Sequence, residues 1–336
     1  MEGESDERRI GFRGEARHTK RANARPDPGM TGPDSDGLAP SGDAWLWHMR
    51  RGDFARAWQV SDAVLQERRG AQVQDLPRHE QAIWSGQPLE GQRVLVRCYH
   101  GLGDTIQFAR YLPLVRARAA HVTLWAQPSL IPLLRTIDEA IEILPLHDGD
   151  PGVACDVDVE MMELAHVFRS TIETLPAGVP YIHVERAAIP MTGRPTIGLV
   201  WKAGDWAEHR SIPFDLLEPL IQLPVTWYVL QGQPGLAERP SGFGTVAGER
   251  DILELANVMR ALDLVITVDS MAAHLAGALA VPVWVLLHAA CDWRWMIDRE
   301  DSPWYPTMRL FRQEQEGEWG DVIDRVAAQL RDRLTG

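Results

Sequence analysis

An acidic residue directly after a pair of glycines is the first group in the chain that could do chemistry. Gly101-Leu-Gly103-Asp104 follows a short β-branched run and precedes apolar residues at helical spacing, a pattern that predicts a strand, a turn and a helix. A carboxylate at that helix start has two interpretations. It can cap the helix by accepting hydrogen bonds from backbone N–H groups, or it can serve as a general base at the mouth of a cleft. Residue type alone favours the cap for Asp104.

A second polar group, Asp269, Ser270 and His274, follows a predicted buried strand and opens a predicted helix. The N–H groups of the helix start, together with the Ser270 hydroxyl, could hold a phosphate. The simpler interpretation is capping by Asp269 or Ser270, with His274 as a buried histidine one turn into the helix. A hydrolase nucleophile at Ser270 is disfavoured, because Val268 and Ala272 stand where a nucleophile elbow has glycines.

A third group, Lys202, His209 and Arg210, lies in the loop that leaves a predicted strand over 196–201. The carboxyl ends of parallel strands share one edge of a sheet, so we expect this loop beside Ser270. In a chain with a net charge of −13, cations near helix starts indicate an anionic ligand. Each charge-assisted hydrogen bond contributes about 1.5–3 kcal/mol, so several could hold a diphosphate without a metal. A solvated loop is an equally good interpretation for Lys202 and a weaker one for Arg210.

Alternating strands and helices must position these residues. Strands are predicted at 93–98, 121–126, 141–144, 153–159, 180–184, 196–201, 225–230, 243–247, 263–268, 282–287 and 308–312. Helices are predicted at 104–118, 129–137, 160–175, 213–222, 251–261, 271–280 and 319–334. Near-continuous apolar strands between amphipathic helices indicate parallel sheets covered on both faces. The predicted fold class is α/β, with two Rossmann-like, doubly wound parallel-sheet domains and ligands beyond the strand ends, between the domains.

The chain divides into four predicted segments. Residues 1–42 hold almost no large apolar side chains and are expected to form a disordered tail. Residues 43–84 form a helical segment in which 52–58 resembles one tetratricopeptide-type repeat. A single repeat cannot stack into an array, so we expect a helical pair packed on the next domain. The two Rossmann-like domains follow at 85–188 and 189–336, with their linker within 185–195.

Composition argues against several classes of protein. Of the 336 residues, 45% are apolar and 24% charged, as in globular proteins, and the acidic balance argues against a nucleic-acid partner. No apolar run reaches the roughly 18 residues of a membrane span, and the N-terminus lacks the apolar core of a signal peptide. Cys98, Cys155 and Cys291 have no metal-ligand spacing. They are predicted to be buried thiols in a reducing compartment, the cytoplasm.

Neither a nicotinamide cofactor nor a metal is expected. The glycine turn has Ile106 where a dinucleotide fingerprint has its third glycine, and the next predicted strand ends at Ala126 with no acid to hold a ribose. Asp156-Val-Asp158 imitates a metal-binding pair, but its position at a strand end without other ligands favours a structural role.

Several long motifs together resemble one family. They lie at 100–114, 197–201, 209–213, 263–279, 292–295 and 299–312. This set is similar to the glycosyltransferase module of bacterial tetratricopeptide-repeat proteins, related to the ADP-heptose:lipopolysaccharide heptosyltransferases of glycosyltransferase family 9. The resemblance covers about residues 80–334. It implies a GT-B architecture, in which two Rossmann-like domains face each other across a cleft.

The same resemblance implies inverting, metal-independent transfer of a sugar from a nucleoside diphosphate sugar. The acceptor would be a glycan, a lipid-linked molecule or a protein, bound by the N-terminal domain. Asp104 matches the proposed catalytic base after Gly-x-Gly, and Arg210 matches a basic phosphate contact. Asp269, Ser270 and His274 match the family's Asp-Thr-Gly-x-x-His motif at the donor diphosphate.

Two departures from the family pattern keep other functions open. Met271 stands where heptosyltransferases have glycine, and Tyr99-His100 replaces the Glu-Gln common in the repeat-bearing relatives. The competing hypothesis is therefore a nucleotide-sugar-binding or scaffold protein that kept the fold and lost turnover. An epimerase-like enzyme on the same fold would need further carboxylates in the cleft, and Glu249 and Asp205 are the candidates.

Overall fold

Two parallel sheets form the centre of the structure, a computed structural model that describes residues 42–68, 77–78, 81 and 83–335. The first sheet has the strand order β3-β2-β1-β4 and the second has the order β10-β9-β8-β5-β6-β7. In both sheets every pair of neighbouring strands is parallel. The predicted α/β class with two parallel-sheet domains is confirmed.

The strands are short and mostly buried. They span β1 Arg93–Arg97, β2 His121–Ala126, β3 Glu142–Pro145, β4 Val157–Glu160, β5 Thr196–Val200, β6 Thr226–Val229, β7 Thr245–Val246, β8 Leu264–Val268, β9 Val283–Leu287 and β10 Met308–Arg312. Every residue of β5, β8 and β9 is buried, which explains why these strands are almost wholly apolar.

The helices connect the strands and cover the sheets. They span α1 Gly42–Arg50, α2 Phe54–Glu67, α3 Leu102–Phe108, α4 Leu112–Arg118, α5 Ile131–Leu134, α6 Leu164–Val167, α7 Glu218–Ile221, α8 Ile252–Met259, α9 Met271–Ala278 and α10 Trp319–Thr335. None of the described helices is both long enough and apolar enough to cross a membrane.

Strand order changes direction at one point in each sheet. The chain runs from β1 outward to β2 and β3 and then returns to the other side of β1 as β4. In the second sheet it runs from β5 outward to β6 and β7 and returns beside β5 as β8. Ligands of doubly wound sheets bind outside the carboxyl ends of the strands at such switch points. The loops after β1, β4, β5 and β8 are therefore the places to look for a site.

Several predicted elements differ from the observed ones. The helix predicted at 104–118 is α3, a 3₁₀ turn at 109–111 and α4, and those predicted at 160–175 and 213–222 shrink to short 3₁₀ and α turns. The strand predicted at 180–184 is wrong, because Tyr181 donates its N–H to the Ala278 carbonyl at the end of α9 and joins neither sheet. Periodicity over a few residues cannot separate a strand from an extended segment packed on a helix.

The helical pair packs on the sheet domains as predicted. The indole N–H of Trp58 on α2 donates to the Ser170 carbonyl at 2.7 Å, and the N–H of Ile297 donates to the Arg50 carbonyl at 2.9 Å. The predicted tail at 1–42 lies outside the described residues apart from Gly42, which already begins α1. The prediction that all three cysteines are buried is wrong for one of them: Cys98 and Cys291 are buried, but Cys155 is only half-buried.

Candidate functional site

Asp104 lies in the first turn of α3, where the chain leaves β1. One carboxylate oxygen, Oδ2, accepts a hydrogen bond from the Gly101 N–H at 2.9 Å. Gly101, not Asp104, is the N-cap residue, so the carboxylate reaches back to the cap instead of forming it. The Asp104 side chain keeps 26% of its surface exposed. The Asp104 carboxylate is therefore held by the Gly101 N–H at Oδ2, and part of its surface remains accessible to a ligand.

The other oxygen of Asp104 meets a buried arginine from the second half of the chain. Arg294 Nη2 donates to Asp104 Oδ1, Arg294 Nη1 donates to Asp292 Oδ1 at 2.8 Å, and Arg294 Nε donates to Gln107 Oε1 at 2.7 Å. Burial lowers the pKa of Arg294, but the Asp292 and Asp104 carboxylates outweigh it and raise that pKa above its usual range. The guanidinium therefore stays charged and fixes the Asp104 carboxylate from the opposite side to Gly101.

Helix α3 packs directly against helix α9. A Cβ added at Gly103 would lie 2.9 Å from His274 Cδ2 and 3.4 Å from the Met271 Cα, so the contact leaves no room for a side chain. This close approach is the physical reason for glycine at 103. It brings Asp104 of the first half beside the start of α9 in the second half.

His274 is buried one turn into α9. It stacks on Trp295, with ring centroids 5.2 Å apart, and its Nδ1 lies 3.1 Å from the Tyr305 hydroxyl. Burial, assisted by the nearby Arg294 charge, lowers the pKa of His274 to about 3. The imidazole is therefore neutral at physiological pH, and it packs behind the site against α3. The simpler of the two sequence interpretations describes this environment.

The start of α9 carries the other two motif residues. Ser270 is the N-cap residue, but its hydroxyl makes no capping hydrogen bond and lies 3.2 Å from the Thr267 hydroxyl. Asp269 is buried and pairs with Arg210, with 3.2 Å between Asp269 Oδ2 and Arg210 Nη1. Burial raises the pKa of Asp269, and the Arg210 charge opposes that rise. Arg210 thus lies at the predicted edge of the second sheet, close to the start of α9.

The loop after β5 folds back on itself. Gln231, after β6, accepts hydrogen bonds from the N–H groups of Trp201 and Lys202 at 3.1 and 2.9 Å. The N–H of Ile212 donates to the Trp201 carbonyl at 2.8 Å and closes the loop. The Lys202 ammonium pairs with Glu238. The structure therefore brings Lys202 and Arg210 to the strand edge, and it also supplies each of them with a carboxylate.

A group of buried polar side chains around Asp104 is not evident from the sequence. Glu160 ends β4 beside β1, and burial raises its pKa well above the usual range. Glu163 accepts from the N–H of Glu160 at 2.9 Å, and burial raises its pKa to about 7. Glu160 could have been suspected from its place at the end of a predicted strand. Arg294 lies in a motif whose residues had no assigned role, and its partner Asp104 is 190 positions away.

Asp156 and Asp158 have structural partners, as predicted. Asp156 pairs with Arg93 at 2.7 Å, and Asp158 pairs with Arg97. The hydrogen bonds from Arg93 lower the pKa of the exposed Asp156 to about 2. Glu249, a candidate acid of the epimerase hypothesis, is exposed and lies 3.5 Å from the Gln233 amide nitrogen.

Comparison with known sequences agrees with the motif resemblance. Residues 234–295 match the sequence model of "Glycosyltransferase family 9 (heptosyltransferase)". Protein FlbA of Caulobacter vibrioides is 27% identical over 301 residues, which cover 77% of this chain and 50% of FlbA. The chain thus spans about half the length of that curated relative.

Two solved structures share the fold. The glycosyl transferase family 9 structure from Veillonella parvula DSM 2008 has a TM-score of 0.54 at 14% identity, over 74% of this chain and 98% of that one. The ADP-heptose lps heptosyltransferase II of E. coli has a TM-score of 0.52 at 14% identity, over 72% and 98%. At these identities the likeness is one of fold. The chain therefore has the two-domain fold of heptosyltransferase structures, and its segment 234–295, which holds Asp269, Ser270, His274 and Arg294, is similar to the glycosyltransferase family 9 sequence model.

Proposed function

We propose that this protein is a glycosyltransferase that moves a sugar from a nucleoside diphosphate sugar to a hydroxyl acceptor, with inversion and without a metal. The observation that carries the proposal is the contact of α3 with α9 at Gly103. It puts a partly exposed carboxylate, Asp104, beside the helix start within the family 9 segment. A general base and an anion-binding helix start are the two parts that such a transfer needs.

Asp104 is the base in this proposal. It takes the proton of the acceptor hydroxyl while the oxygen attacks the anomeric carbon, and the bond from that carbon to the phosphate oxygen breaks on the opposite face. The Gly101 N–H and Arg294 each hold one carboxylate oxygen, which leaves lone pairs of a fixed direction for the acceptor proton. A positioned general base contributes roughly 10²–10⁴-fold to the rate.

The second half holds the leaving nucleoside diphosphate. Arg210, Lys202 and the backbone N–H groups after Ser270 stabilise the negative charge that grows on the phosphate. In the ligand-free protein Asp269 pairs with Arg210 and Glu238 pairs with Lys202. A donor diphosphate must therefore compete with these carboxylates. Met271, the first residue of α9, lies beside Gly103. An ADP-heptose-like donor and a glycan, lipid-linked or protein acceptor fit the family. We place the reaction in the cytoplasm, since the three cysteines are free.

A non-catalytic nucleotide-sugar-binding or scaffold protein is the second candidate. It is favoured by the two ion pairs on Lys202 and Arg210 and by Met271 at the position of the family's glycine. Under this hypothesis the helix start binds the donor and no sugar leaves.

A thermal-shift screen against ADP-, GDP-, UDP- and dTDP-sugars tests the proposal, because a ligand that binds only the folded protein raises its melting temperature. We expect one nucleotide class to raise it, and the same donor to be hydrolysed slowly or transferred when acceptors are added. Binding without any turnover would favour the scaffold. No shift with any donor class would contradict both candidates.

A further inference from the structure

A groove of about 1280 Å³ lies beside the outer strand β10. Its described walls are the end of α1 at Arg50 and Arg51, the loop 289–291, the segment 296–300, strand β10 and one face of α10. None of the candidate donor-site residues is among the described residues that line it. It is therefore a separate feature of the molecule, formed where the helical pair meets the second sheet.

Arginines dominate the charged lining of this groove. They are Arg50, Arg51, Arg299, Arg309, Arg312 and Arg325. Three of them have carboxylate partners: Arg299 pairs with Asp301, Arg309 with Glu300 and Arg325 with Asp321. The other three, Arg50, Arg51 and Arg312, have no carboxylate within ion-pair distance among the residues that the structure describes.

Arg312 contacts Cys291, Arg50 lies near enough to act on its charge, and Arg51 follows Arg50 in the chain. Arg312 Nη1 lies 2.7 Å from Cys291 Sγ, and the same guanidinium donates to two backbone carbonyls. Burial raises the pKa of Cys291, while the charges of Arg312 and Arg50 oppose that rise, so both charges act at the sulfur. Arg51 stacks its guanidinium 4.0 Å from the centre of the Trp47 ring.

Buried donors without acceptors line the same groove. Arg50 Nε and Gln313 Nε2 are inaccessible to solvent and have no hydrogen-bond partner within the described part of the chain. A buried donor without an acceptor is costly, and more so on a charged group. An anion bound beside Arg50 would supply the counter-charge that no described carboxylate gives it.

We propose that this groove binds a phosphate-bearing ligand, with its phosphate held by Arg50, Arg51 and Arg312. The planar guanidinium matches the geometry of phosphate oxygens and offers two donors at once. The groove volume far exceeds that of a bare ion and leaves room for a small-molecule ligand. Four acidic residues line the groove as well: Asp298, Glu300, Glu314 and Asp332. They disfavour an extended polyanion and favour one phosphate on a neutral, hydroxyl-rich body such as a sugar.

The test measures binding of inorganic phosphate and of glucose 1-phosphate to the full chain, by calorimetry and thermal shift in a phosphate-free buffer. We expect both ligands to bind and to raise the melting temperature. Arg50→Gln should raise the dissociation constant about tenfold or more, because the variant loses one charge-assisted hydrogen bond to the phosphate. The Arg50 side chain makes no hydrogen bond or ion pair with described residues, so the ligand-free variant should melt at the parent temperature or slightly above.

Two control variants separate the groove from its surroundings. Arg325→Gln changes an arginine of the groove that already pairs with Asp321, and it should leave phosphate binding nearly unchanged. Arg210→Gln alters the candidate donor site and should also leave phosphate binding at the groove unchanged.

Tighter binding of glucose 1-phosphate than of inorganic phosphate would support the groove as a phosphosugar site, and equal binding would support it as a phosphate site. The proposal is overturned if neither ligand binds, if Arg50→Gln binds like the parent, or if only Arg210→Gln loses binding.

Discussion

Arg294 carries its charge in a place from which water is almost excluded, with 9% of its side chain exposed. Its three hydrogen-bonding nitrogens contact Asp104 and Gln107 of the first half and Asp292 of its own loop. The residue therefore links the proposed base to the second half of the molecule. A buried charge of this kind is stable only while its partners remain, and the partners depend on it equally.

We expect Arg294→Met to lower the free energy of unfolding by about 3–5 kcal/mol, because it leaves Asp292 and Asp104, both half-buried, without their buried counter-charge. Urea unfolding of the parent and the variant measures the loss. Arg299→Met is the matched control, since Arg299 pairs with Asp301, a largely exposed carboxylate, and should cost no more than about 1 kcal/mol. Equal losses for the two variants would contradict the role assigned to Arg294.

His274 makes the free energy of unfolding fall as the pH becomes acidic. Its pKa is about 3 in the folded protein and about 6.5 in an unfolded chain, so the unfolded state binds more protons between these values. The stability that comes from keeping His274 neutral is complete above about pH 6.5 and is lost as the pH falls.

The loss amounts to about 1.4 kcal/mol per pH unit in that window, or about 2–3 kcal/mol between pH 6.5 and pH 4.5. Unfolding free energies of His274→Gln and the parent at these two pH values test it, with His183→Gln, at an exposed histidine, as control. The His274 variant should lose less stability on acidification than the parent. An unchanged pH dependence in that variant would show that His274 is not the source.

At the scale of the elements, the candidate site lies where strands end at the two switch points. The sequence predicted the parallel sheets that carry these strand ends, because continuous apolar runs such as β5 and β8 stand out between helices and must lie inside a sheet. It also predicted the buried state of His274 as one of two interpretations. It could not predict the ion pairs of Arg210 and Arg294, because the partners lie far apart in the chain and spacing carries no information about them.

Gly103 is where the contact between α3 and α9 is most sensitive to change. We expect Gly103→Ala to lower the free energy of unfolding by about 1–3 kcal/mol, because the new methyl group meets His274, which Trp295 and Tyr305 hold in place. Chemical denaturation measures the effect. Gly320→Ala, in the first turn of α10 with open space around it, should be neutral or slightly stabilising. If the two variants are equally stable, the helices are not as close as described.

At the scale of the whole molecule, buried arginines join the two halves. Arg110, after α3, donates to the Trp304 carbonyl at 2.6 Å and to the Tyr181 hydroxyl at 3.3 Å, and its guanidinium lies 4.5 Å from the centre of the Tyr305 ring. The alternation of strands and helices predicted two domains with a cleft. It did not predict how closely α3 and α9 would pack, because the contact depends on the absence of a side chain at Gly103 and on Arg294.

The most direct test of the account is sugar transfer by Asp104→Asn, measured with the nucleotide sugar that stabilises the parent most. The asparagine keeps the shape and can still accept from the Gly101 N–H, but it cannot take the acceptor proton. We predict that the variant binds the donor as the parent does and that its transfer rate falls by roughly 10²–10⁴-fold. Transfer at the parent rate would contradict the account and reduce Asp104 to a partner of Gly101 and Arg294.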